Sequence, residues 1–211
     1  MQRRRGSRLP WGKKLKFLSA DPGPIWPIVD ALKDDSEEYV RQSVANNLND
    51  IAKDHPEATI AFCRRLIDAP TASRTRIVNH TLRSLIKDGE PAALQVVGFG
   101  PPKGLSSTLT ATPTQVAPED KVVLRAEVSS ASTRAQNLVI DYVVYFMRKN
   151  GGASPKVFKS TTLEIPGKTT LTFNKTHPLR ITTIRALYPG THEVAIQVNG
   201  VQLARTSFEL L

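Results

Sequence analysis

Arg41, Asn46, Asn47, Asn49 and Asp50 crowd into two and a half turns of a single predicted helix. Most of them are poor helix formers, and a purely solvated face more often uses Glu, Lys and Gln. The cluster points to a face that touches something polar. Asp50 taken by type alone stays open between a solvated helix acid and a functional carboxylate. Arg41 either contacts a polyanion or holds Asp50 in place. Further along, Arg76, His80 and Arg83 fall at i, i+4 and i+7, one stripe of a helix. Such a stripe is either a solvated face or a phosphate clamp in which His80 donates to a phosphate oxygen. Arg8, Lys13, Lys14 and Lys16 form a basic run beside Trp11, and it too reads as a solvated face or as a backbone-phosphate contact.

These side chains need rigid elements to hold them. Over Glu38–Pro56, Val40, Val44, Leu48 and Ile51 share one face, with Ala45 and Ala52 beside them. Asp34, Asp35 or Ser36 is expected to cap the start, and Pro56 ends the helix. Lys53 and His55 near its end complement the helix dipole. Five further helices are expected over 10–19, 24–32, 56–67, 71–87 and 91–97, with Gly89 stopping the fifth in chain order. Trp26, between Pro24 and Pro27, reads as a core aromatic, while Trp11 stays open between core and site. Amphipathic helices joined by very short turns suit a stack of antiparallel pairs, the grammar of a HEAT-like solenoid.

Residues 98–104, with Gly98, Gly100, Pro101 and Pro102, cannot continue a helix and read as a linker. Beyond them the apolar period drops to two, over 121–128, 138–146, 157–165, 169–173, 192–198 and 203–210. Turn signals recur between these runs, and Asn199-Gly200 is a strong type I′ hairpin signal. About seven strands in the second half read as an immunoglobulin-like sandwich. The basic tip Arg148-Lys149-Asn150-Gly151-Gly152 either reaches a polyanion or only protects a sheet edge. The fold class expected is therefore two domains. An all-α HEAT-like helical repeat segment over residues 1–97 is followed by an all-β immunoglobulin-like sandwich over 105–211.

The 211 residues carry a net charge of +10, divided +4 over residues 1–100 and +6 over 101–211. Both halves are basic, which favours a polyanionic partner such as nucleic acid. No apolar run approaches the length of a membrane span, and the basic start is followed by no apolar stretch of the kind a signal peptide carries. The single Cys63 excludes an internal disulfide and reads as an inert core thiol in a reducing, cytoplasmic compartment. No His/Cys/Asp cluster has metal-ligand spacing and there is no glycine-rich phosphate loop, so no metal or cofactor is expected.

The helical half resembles the AlkC branch of the bacterial AlkD/AlkC family of HEAT-like DNA alkylation repair glycosylases. The matching residues are Arg8-Leu9-Pro10-Trp11, Val40-Arg41, Ser43 through Ile51, and Lys53-Asp54-His55-Pro56. Thr75-Arg76, His80, Leu82-Arg83 and Leu85-Ile86-Lys87 match as well. The resemblance implies a bacterial hydrolase that removes N3-methylated bases such as 3-methyladenine from double-stranded DNA. It implies that Asp50 is the catalytic carboxylate and Trp11 the aromatic contact to the lesion. Arg8, Lys13, Lys14, Arg41, Arg76, His80 and Arg83 would then be DNA-binding. An alkylated base is a cationic leaving group, and an indole face attracts a cation by about 0.5–2 kcal/mol. A fixed carboxylate stabilises the oxocarbenium charge left on the sugar. Family members carry further helices before the Arg-Leu-Pro-Trp segment, and an acidic site residue that they place about two turns before the tryptophan falls near Arg3 in this chain. The expectation is thus the C-terminal portion of such an enzyme, with an exposed solenoid end open to self-association. The alternative is a non-catalytic module that binds DNA or protein.

Overall fold

The computed structural model of the chain describes residues 16–180 and 186–211. The chain divides into two compact units, Met1–Val97 and Gly98–Leu211. The first is helical: α1 (Lys16–Ala20), a 3₁₀ turn (Gly23–Ile25), α2 (Trp26–Leu32), α3 (Glu38–Ile51), α4 (Pro56–Asp68), α5 (Ala72–Asp88) and α6 (Pro91–Val96). The second carries β1 (Leu105–Thr112), β2 (Gln115–Val116), β3 (Lys121–Ser130), β4 (Gln136–Met147), β5 (Ala153–Ile165), β6 (Thr170–Pro178), β7 (Gly190–Val198) and β8 (Val201–Leu210).

The helical core follows from the apolar spacing. Val44, Leu48 and Ile51 from α3 are buried with Ile60, Phe62, Cys63 and Leu66 from α4 and with Ile77, Val78 and Leu82 from α5. Trp26 stacks on Phe62 with ring centroids 5.6 Å apart. Thr71 caps α5 by accepting a hydrogen bond from the Arg74 backbone N–H at 3.1 Å. Gly89, at φ 77°, ends α5 in the left-handed conformation that a residue without Cβ adopts readily. The start of α3 differs from expectation. Glu37 occupies the cap position and no side chain caps it. Asp34 is instead gripped by the Arg74 guanidinium at 2.7 and 2.6 Å, a bidentate pair between the α2–α3 turn and the first turn of α5. That pairing holds the Asp34 carboxyl below the usual carboxylate range.

The strand unit forms two sheets over a shared core. One has the order β1-β3-β6 and the other β2-β8-β7-β4-β5. Pairing is antiparallel except between β2 and β8, which run parallel. In β3 the alternation places Val122, Leu124, Ala126 and Val128 inward. β4, paired antiparallel with β5 and β7, is buried on both faces along most of its length. Asn199 and Gly200 have φ of 46° and 80° and turn β7 into β8. Asn199 also reaches inward. Its Oδ1 accepts from Val139 N at 2.7 Å, and its Nδ2 donates to the Gly100 and Asn137 carbonyls.

The expected fold class needs correction. Among the described residues, α2 to α6 have 7, 14, 13, 17 and 6 residues, which is not a series of equal repeated pairs. α3 packs chiefly on α5 rather than on its neighbour α4. The second unit is not an even all-antiparallel sandwich of seven strands, because the eight strands among the described residues divide three to five and include a parallel pair. The architecture is a helical N-terminal part followed by a β-sheet unit. The physical reason is that a period of 3.6 or 2 reports which face of an element is buried. It does not report which other element covers that face.

Candidate functional site

α3 and α5 lie side by side and run in the same direction. Three cross-helix contacts establish this, advancing together along both helices. Arg76 Nη1 donates to Glu38 Oε1 at 3.2 Å. His80 Nε2 pairs with Asn46 Oδ1 at 2.8 Å. Asn49 Nδ2 donates to the Thr81 carbonyl at 2.7 Å and to Ser84 Oγ at 3.2 Å. Asn46 and Asn49 therefore have their polar partner in α5. Asn49 is buried, and a buried amide without such partners would cost about 1–3 kcal/mol.

Between the N-terminal halves of these helices lies a groove of about 130 Å³, lined on one side by Glu38, Arg41, Gln42 and Ala45. Ser73, Arg76, Ile77 and His80 line the other. Both helices begin here, so both present the positive ends of their dipoles. The Arg41 guanidinium is half-buried, and its Nη1 donates to the carbonyls of Asp35 and of Ser36, the latter at 2.8 Å. Among the described residues it has no carboxylate partner. His80 is half-buried as well. Burial first, and the nearby positive charge of Arg83 second, hold its imidazole below the usual histidine range, which favours the neutral form.

Asp50 lies about 18 Å further along α3 than Glu38, from twelve residues at 1.5 Å each. It is partly exposed, with side-chain accessibility of 26%, and Lys53 Nζ binds its Oδ1 at 2.8 Å. So the sequence-predicted residues divide. The structure brings Arg41, Arg76 and His80 into one groove. It places Arg83 on the exposed surface of α5, its Nη1 folded back on the His80 carbonyl at 2.6 Å. Asp50 stands apart with Lys53, which pairs with the carboxylate as well as sitting near the negative end of the helix dipole. His55 does not complement that dipole alone, because its Nε2 pairs with the Ser19 carbonyl at 2.8 Å. Trp11, Arg8, Lys13 and Lys14 lie outside the described residues. Glu38, Gln42 and Ser73 were not legible as site residues, because their meeting depends on the parallel packing of two helices that are not consecutive. No group of three or more His, Cys, Asp or Glu among the described residues could hold a metal ion.

The comparisons with known proteins bear on both units. A family model described as "Uncharacterised protein YhaZ, C-terminal Ig-like domain" matches residues 106–211. The chain belongs to this YhaZ family. The uncharacterized protein YhaZ of Bacillus subtilis (strain 168) is 32% identical over 197 residues, covering 92% of this chain and 54% of its own length. Among solved structures, the Pseudomonas fluorescens alkylpurine DNA glycosylase AlkC, bound to DNA containing an abasic site analog, superposes with a TM-score of 0.84 at 34% identity. That match covers 98% of this chain and 57% of AlkC. The YhaZ-family chain thus spans a little over half the length of each relative. The likeness to AlkC extends over both units, not only over the strands that the family model describes. No helix among the described residues is long and apolar enough to cross a membrane.

Proposed function

We propose that the chain serves DNA alkylation repair, as part of a glycosylase that hydrolyses the N-glycosidic bond of N3-methylated bases such as 3-methyladenine in double-stranded DNA. The observation that carries this reading is the likeness to an alkylpurine DNA glycosylase over nearly the whole chain. Supporting it, Asp50 keeps an accessible carboxylate on the long, well-packed helix α3. In the reaction the bond from the sugar C1′ to the base nitrogen breaks, and its electron pair leaves with the cationic base, which becomes neutral. Asp50 stabilises the positive charge left at C1′. Water then adds to C1′ and gives up a proton, leaving an abasic sugar. Trp11 faces the cationic base, and Arg8, Lys13, Lys14, Arg41, Arg76, His80 and Arg83 hold the duplex.

A second reading has its own observation. Lys53 already occupies Asp50 at 2.8 Å, which offsets the charge that catalysis would use and favours a module that binds DNA without excising a base. Release of methylated bases from methylated duplex DNA separates the two, measured beside Asp50→Asn with DNA affinity recorded for both. The glycosylase reading expects release that Asp50→Asn lowers by about 100-fold or more, at unchanged affinity. Release indifferent to Asp50→Asn removes Asp50 from the chemistry. Salt-sensitive DNA binding without any release leaves the binding module.

A further inference from the structure

We propose that the groove between the N-terminal halves of α3 and α5 seats one phosphate of the DNA backbone, held by Arg41 and Arg76, with Glu38 as a built-in counterion that the phosphate displaces. This deepens the DNA-binding reading and rests on it. The groove is small. Pockets that enclose a ligand of drug size run to about 300–1,000 Å³, whereas this one has about 130 Å³, which suits an oxyanion and not a nucleotide. Its polar lining is mostly cationic or donating: Arg41, Arg76, Ser73, Gln42 and His80 against the single acid Glu38.

Arg41 carries most of the argument. Two backbone carbonyls fix one edge of its guanidinium through Nη1, while no carboxylate among the described residues neutralises it. A half-buried cation held in one orientation without an anion is a receptor already organised for one, and the guanidinium fork matches phosphate geometry. The bidentate Asp34–Arg74 pair fixes the start of α5 against the turn that leads into α3, so the two walls are set before any ligand arrives. Arg76 is exposed at 73% and loosely paired with Glu38, itself exposed at 70%. An exposed pair of this kind contributes little and exchanges readily. An incoming phosphate takes Arg76 from Glu38 and joins it to Arg41. Both helix dipoles add to the attraction. Arg41 lies about 14 Å along α3 from Asp50, from nine residues at 1.5 Å each, so the seat grips the duplex away from the reacting sugar.

The test has two arms on the full chain. In the first, thermal unfolding is followed with inorganic phosphate at constant ionic strength, chloride replacing phosphate in the control. Stabilisation by phosphate above chloride is expected, larger in Glu38→Gln and absent in Arg76→Gln. In the second, duplex DNA affinity is measured against salt. Arg76→Gln is expected to flatten the slope of log K against log salt by about 0.9, the value for one phosphate contact, and Glu38→Gln to tighten binding several-fold. Arg41→Gln should flatten the slope similarly, and Arg76→Gln and Glu38→Gln stand in for it if loss of the loop anchor unfolds the chain. DNA binding indifferent to Glu38→Gln and Arg76→Gln overturns the seat and leaves the DNA-binding reading standing. Phosphate stabilisation without DNA binding overturns that reading and leaves an oxyanion site for free phosphate. No difference between phosphate and chloride in any variant overturns the seat.

Discussion

α3 and β4 are the central elements of their units, and they treat polar side chains in opposite ways. α3 places Asn46 and Asn49 against α5 and leaves Glu38, Arg41, Gln42 and Asp50 reachable from solvent. β4 buries nearly everything. Its Asp141, 1% exposed, is bound by Lys159 Nζ at 2.8 Å, and its Tyr142 hydroxyl pairs with buried His177 Nδ1 at 3.1 Å. Tyr142 also stacks on Phe158, and His177 meets Phe158 edge-on and Phe146 at a tilt. The difference teaches how each element disposes of its polar side chains. In the strand unit these polar groups are absorbed by the core, while in the helical unit several keep donors directed at a groove.

The largest expected effect should be equal in the two units and so would break any claim that one core is soft. Leu48→Ala in α3 and Leu138→Ala in β4 each remove a fully buried side chain, and each should cost about 2–5 kcal/mol in chemical denaturation. A much smaller loss for Leu48 would mean that α3 is poorly packed.

Next in size are the buried polar anchors. Asn49→Ala strips the Thr81 carbonyl and Ser84 of a partner and should cost about 1–3 kcal/mol. Asn199→Gly is sharper still as a probe. Glycine keeps the positive φ of the turn but loses the three hydrogen bonds of the amide, one buried and two part-buried. A loss of more than about 1 kcal/mol, read from the denaturation midpoint, would show that the asparagine serves the core and not only the hairpin.

The pH responses should carry opposite signs. His80 is held below the ordinary value of 6.5, so the unfolded chain takes up a proton first as pH falls, and stability drops below about 6.5. His80→Asn should remove that step. Asp141 is held above its ordinary 3.8, by burial first and against the pull of Lys159. Its contribution is greatest at acid pH and falls as pH rises from 3.8 through its raised value. Tyr142, pushed up to about 12 by burial, adds a loss of stability above pH 10, where the unfolded phenol ionises first. Tyr142→Phe should remove that alkaline loss.

The smallest effect concerns Cys63, whose thiol burial pushes up to about 12. It should react with thiol reagents only under denaturing conditions, followed by mass. Rapid labelling of the folded chain would mean that the α3–α5 core opens locally.

Much of this molecule could be read along the chain. Pro56 starts α4, Gly89 ends α5, Asn199-Gly200 turns β7 into β8, and Cys63 is buried with its helix face. Each is a local matter of φ, missing donors or apolar spacing, which neighbouring residues decide. β1 and β2 escaped notice. β1 is rich in Ser and Thr, with only Leu109 and Ala111 buried, and β2 is two residues whose pairing with β8 is remote.

The sequence alone determined where the helices give way to strands, because the apolar period changes at the glycines and prolines of 98–104. It also determined the residue types on which any DNA contact must draw. Tertiary structure decided that α3 lies parallel to α5, that Asn46 and Asn49 face a neighbouring helix, and that Arg41 shares a groove with Arg76. Those outcomes depend on which buried face meets which, a choice made by packing between residues thirty and more positions apart. Local spacing carries no record of that choice.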